Sequence, residues 1–174
     1  MAMKMLEAGG VPVLTDHIRT ADTSNPNGYY EYERVKELDK SQDTSWLANG
    51  RGKAVKIISM LLTWLPETYT YNVIFMERDL GETLASQDQM LTARGEAADA
   101  TDHVRMVSHY EQHLANVRRF LQARPCFSTL RVDYNETLQE PNRTAQRVNE
   151  FLGGHLDVRQ MAAVVDAQLY RNRH

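Results

Sequence analysis

The first chemistry this chain offers lies in Arg78 and Ser86. Val73, Ile74, Phe75 and Met76 form an unbroken apolar run, the pattern of a strand covered on both faces in a parallel sheet. Asp79 and Glu82 then stand in the N-cap and N3 relation of a capping box, so a helix is expected from Leu80. Arg78 is left at the carboxyl end of the strand, where open α/β sheets bind ligands. Ser86, two turns into the new helix, returns to the side of the helix start. A guanidinium and a hydroxyl converging there suit a phosphate. The competing roles, which spacing alone favours, are a solvated Arg and a water-facing helical Ser.

Four further residues have types suited to proton and charge transfer. Asp16 and Glu31 lie in a polar stretch, DHIRTADTSNPNGYYEYE, that reads as a loop over a site; with His17 they are candidates for proton transfer. Loop solvation and capping are the competing roles. Lys56 interrupts the apolar run Ala54 to Ser59, a predicted buried strand, and must snorkel or meet an anion because an unpaired buried ammonium is costly. Tyr134 follows the strand-like run Phe127 to Val132, where its ring serves packing or ligand contact. His109 and His113 are one helical turn apart, but HYEQH lacks the order of HExxH and no third ligand accompanies it.

The elements that must position these residues are legible from patterning. MAMKML is a run of helix formers that stops at Gly9-Gly10, and the chain is expected to begin inside an element. VPVL reads as a short edge strand. Gly50, Gly52 and Lys53 resemble part of a P-loop, yet they precede an apolar strand and read as a turn. Val104, Val107, Tyr110, Leu114, Val117 and Leu121 mark a long amphipathic helix. A helix over Pro141 to Leu152 ends at Gly153-Gly154, and another is capped by Asp157. Helices alternating with apolar strands predict an α/β domain with a mainly parallel sheet.

Composition bounds the function. With 174 residues and a formal charge of −3, the chain suits one domain with a core and lacks the basic field that would argue for nucleic acid. The single cysteine, Cys126, excludes an intrachain disulfide and suits a reducing, cytoplasmic compartment. The most apolar segment, Val55 to Leu65, is too short to span a bilayer.

Arg78 followed by Ser86, and the segment TLRVDYNETLQEPNRTAQRVNEFLGG, resemble the 3′-phosphate segment and a later turn-and-helix segment of PAPS-dependent sulfotransferases. The resemblance implies a three-layer, P-loop nucleoside triphosphate hydrolase-like α/β fold, here without the first strand and the PKSGTTW-like loop. It also implies transfer of a sulfuryl group from PAPS to a hydroxyl or amine acceptor that the sequence does not identify. Arg78 and Ser86 would hold the 3′-phosphate, Tyr134 would contact adenine, and Lys56 would match the lysine of the family's KTHLP strand. Ile58 stands where that strand has its histidine base, so the base role passes to Asp16 or Glu31. The late RKGxxGDW segment is absent; Arg171 and Arg173 offer positive charge near its place. The alternatives are a non-catalytic nucleotide-binding or interaction module of the same fold, and a P-loop kinase-like enzyme.

Overall fold

The computed structural model describes residues 1–19, 28–41, 43–78, 81 and 100–166. Among them, helix α1 spans Ala2–Ala8, strand β1 Tyr71–Glu77, helix α2 Ala100–Gln122 and strand β2 Phe127–Asp133. Helices α3 (Tyr134–Gln139), α4 (Pro141–Phe151) and α5 (Val158–Ala163) follow, and short 3-10 turns cover Glu33–Glu37, Ser45–Gly50 and Ser59–Trp64. The molecule is thus mixed α/β, built on a small parallel sheet in which Tyr71 pairs with Phe127 and Glu77 with Asp133. The helix expected from Leu80, and Ser86 with it, lie outside the described residues, as do Arg171 and Arg173.

The sheet positions everything else because both its faces are covered. Side chains alternate across a strand. Tyr71, Val73, Phe75 and Phe127 pack with Val117 and Leu121 of α2 and with Trp46, Leu61 and Leu65. Ile74, Met76, Leu130 and Val132 turn the other way, onto Met5 and Leu6 of α1, Ala145 and Val148 of α4 and Met161 of α5. Double coverage is why these strands read as continuous apolar runs.

The predicted strand at Ala54 to Ser59 takes a different form. Residues 54–58 are extended, but their only ladder contact among the described residues is the parallel bridge from Ala54 to Val13, and a 3-10 turn begins at Ser59. Lys56 and Ile58 are exposed where a buried strand was expected, because one side of the segment borders a cavity. The VPVL run is likewise reduced to that one bridge. The helix capped by Asp157, whose pattern DVRQMAAVVDAQLY runs on to Tyr170, is shorter than that: Asp157 accepts from the Gln160 amide, but the helix stops at Ala163. No helix among the described residues is long and apolar enough to cross a membrane.

Candidate functional site

Arg78 directly follows β1 and Tyr134 directly follows β2, so the Glu77 to Asp133 register brings them to the same end of the sheet. There the Arg78 guanidinium stands 4.8 Å from the Tyr134 ring centroid. A cation held over an aromatic face is attracted by the ring quadrupole, which fixes the guanidinium at the carboxyl end of the strand. Tyr134 is itself held by a capped start: Asp133 accepts from the Glu136 amide at 2.8 Å, and Thr137 donates its hydroxyl to the Asp133 carbonyl at 2.6 Å. Its position follows from Asp133 capping α3.

Below this pair, Glu77 gathers two more arginines. Arg131 forms a two-pronged pair with it at 2.9 and 2.6 Å, and Arg118 of α2 reaches it at 3.0 Å. Burial pushes the Glu77 carboxyl up, but the Arg131 hydrogen bond and the charges of Arg118 and Arg131 outweigh it and hold the group below its ordinary value. Arg147 extends the network, donating to the Arg131 carbonyl at 3.0 Å and pairing with Glu136 at 3.4 Å. These arginines are scattered in sequence, and only the fold gathers them.

Asp16, Glu31 and Lys56 form a second group. The Glu31 carbonyl accepts from the Thr15 hydroxyl at 2.8 Å and the Asp16 amide at 3.2 Å, tying the two segments together. The Glu31 carboxylate, only 19% exposed, is ringed by Arg19 at 3.2 Å, Lys36 at 3.3 Å and Lys56 at 4.0 Å. Lys56 also donates to the Tyr29 carbonyl at 2.9 Å, and Arg19 lies 3.3 Å over the Tyr29 ring. Burial lowers the Lys56 ammonium below its ordinary range, with Glu31 opposing and Arg19 and Lys36 adding to the depression. The arrangement answers the expectation that a lysine in an apolar stretch meets an anion.

Asp16 is committed to the backbone. Its two carboxylate oxygens accept from the Glu33 amide at 2.6 Å and the Ile18 amide at 3.1 Å, and these bonds hold its pKa below the usual carboxylate value. Neighbouring His17 and Tyr30 adopt left-handed backbone, φ 57° and 52°, a conformation that costs non-glycine residues energy and clusters at functional sites. The Tyr30 hydroxyl donates to Glu7 at 2.6 Å, and burial together with that bond pushes its pKa up to about 12.

The structure therefore joins Asp16, Glu31 and Lys56 in one cluster and Arg78 with Tyr134 in another. Arg19 and Lys36 complete the first and Arg118 and Arg131 support the second. Local charge spacing signals only Lys36, three residues from Glu33, which it meets at 2.6 Å. His113, one of the helical pair, meets Ser59 instead of a metal set, with Nε2 2.9 Å from the hydroxyl. No protein-family model, curated protein or solved structure matches the chain.

Proposed function

We propose that the chain is a sulfotransferase-like domain that binds the nucleotide of PAPS. The finer architecture in this reading is P-loop nucleoside triphosphate hydrolase-like, with the first strand and phosphate loop missing from these 174 residues. Arg78 and Ser86 grip the 3′-phosphate and Tyr134 contacts adenine. In a form carrying the phosphate loop, an acceptor hydroxyl or amine attacks sulfur, the bond from sulfur to the phosphate oxygen breaks, and PAP departs. Lys56 stabilises the charge developing on the leaving phosphate, and a carboxylate takes the acceptor proton. Glu31 suits that last role better than Asp16, whose oxygens are taken by backbone amides. A reducing, cytoplasmic compartment fits the lone Cys126.

The observation that carries the reading is the guanidinium of Arg78 held against the Tyr134 ring at the carboxyl ends of two adjacent parallel strands. That is the expected place for a ligand of such a sheet, and a guanidinium held beside an aromatic ring is suited to phosphate. Calorimetry with PAP and AMP, which differ in the 3′-phosphate, tests it. PAP should bind tighter by about one to two decades, the worth of a charge-assisted hydrogen bond, and Arg78→Ala should erase the difference. Equal binding of the two nucleotides by the unaltered protein would remove the assignment. The engaged state of Asp16 favours, as a second reading, a module that binds nucleotide without turnover.

A further inference from the structure

A cavity of about 690 Å³ lies against the edge of β1 away from β2. Every residue from Tyr71 to Met76 lines it, and so does every residue from Ala54 to Ser59. A cavity resting on one face of a strand would touch alternate residues, because side chains alternate; contact with six in succession on each side means that it runs between two edges.

Backbone directions agree. The Tyr71 amide donates to the Cys126 carbonyl, toward β2. Successive peptide groups point to opposite edges, so the amides of Asn72, Ile74 and Met76 face the cavity, and no strand among the described residues pairs with them. On the other wall, Ala54 exchanges bonds with Pro12 and Leu14, at 2.8 and 2.9 Å, which turns the polar groups of Val55 and Ile57 inward. Unpaired strand edges of this kind are templates for another strand. A strand of five or six residues occupies on the order of 800–950 Å³, from its rise of about 3.3 Å and its spacings of about 4.8 and 10 Å, comparable with an open slot of this size.

The charge of the slot is one-sided. Lys4, Arg51 and Lys56 line it and, among the described residues, no carboxylate does, although the chain as a whole is acidic. Between these cations the walls are apolar, including Ile58, which is 55% exposed.

We propose that this slot receives an extended, net acidic peptide strand of a partner protein, which pairs with the outward edge of β1 and lays its carboxylates against Lys4 and Arg51. Main-chain pairing supplies affinity and the cationic rim supplies selection, as in other recognition by strand addition. Arg78 and Tyr134 do not line the slot, and Lys56, which does, is already held by Glu31 and the Tyr29 carbonyl, so the inference stands apart from nucleotide binding.

The test uses two eight-residue probes of alternating Val and Thr, one with Asp at both ends and one with Lys, titrated into the unaltered protein by NMR. The Asp-ended probe should bind at least about 10-fold tighter at low salt, with the gap closing near 1 M salt. The amides of Asn72, Ile74 and Met76 should exchange fast alone and slowly with the probe. Arg51→Glu, at an exposed position, should reverse the preference without altering the protein's melting point. N-methylation of alternate probe amides should abolish binding. Binding of neither probe at millimolar concentration, protection of those amides without any probe, or concentration-dependent self-association that buries the same edge would each overturn the proposal.

Discussion

Glu77 concentrates the electrostatics of the sheet end in one side chain. Two arginines converge on a carboxylate that is only 17% exposed, and its pKa is depressed by those partners. A carboxylate whose folded pKa lies below its unfolded value stabilises the fold above the unfolded pKa and loses that contribution as pH falls through the folded one. Glu77→Gln should therefore cost about 1–3 kcal/mol near neutral pH, through loss of charged hydrogen bonds and two arginines left unpaired. The difference between variant and parent should shrink as pH drops below the ordinary glutamate value of 4.5. Chemical denaturation at pH 7 and near pH 3 measures both; a constant difference would mean that Glu77 acts through packing alone. This site was not legible in the sequence, because Arg118 and Arg131 belong to different elements and only the pairing of β1 with β2 brings them to one carboxylate.

At the scale of elements, what was legible is what burial periodicity writes into the chain. The strand over Val73 to Met76, the strand at Phe127, the long helix through Val104 to Leu121 and the helix at Pro141 all form, the strands packing against both cores and each helix against one. The stretch at Ala54 misled because an apolar run signals burial but not a hydrogen-bond partner, and here one edge meets a cavity. Of the candidate residues, Lys56 with Glu31 and Arg78 with Tyr134 meet as chemistry suggests, whereas the capping of the Glu33 amide by Asp16 depends on a distant loop. Gly9 shows a further limit. It reads as a helix stop, yet its backbone is ordinary, φ −75°, and what demands glycine is crowding: an added Cβ would lie 2.7 Å from Cγ and 2.8 Å from Sδ of Met161. Gly9→Ala should cost about 1–3 kcal/mol by overpacking α1 against α5. Thermal melting checks this, and in a double-mutant cycle Gly9→Ala should cost less in a Met161→Ala background than in the parent if the clash is the cause.

At the scale of the molecule, two apolar clusters share one sheet. Trp46 belongs to the cluster on the α2 side, while Met161, fully buried, anchors the other. If the thin sheet couples them, Met161→Ala, a change worth about 2–5 kcal/mol, should lower the midpoint reported by Trp46 fluorescence as much as that reported by far-UV circular dichroism. Trp64, which is 55% exposed, contributes a less sensitive background. Midpoints that separate would show that the clusters unfold independently.

The seat of Met5 and Leu6 against Met161 and Ala162 also fixes a waiting time during synthesis. A ribosome adding about 5–20 residues per second delivers Met161 roughly 8–30 s after Met5. Throughout that interval the apolar side of α1 has emerged without the surface that will cover it, and a short helix alone in water barely holds its shape. Residues made well before their cover are thus buried late, and it is there that a chaperone would find the nascent chain.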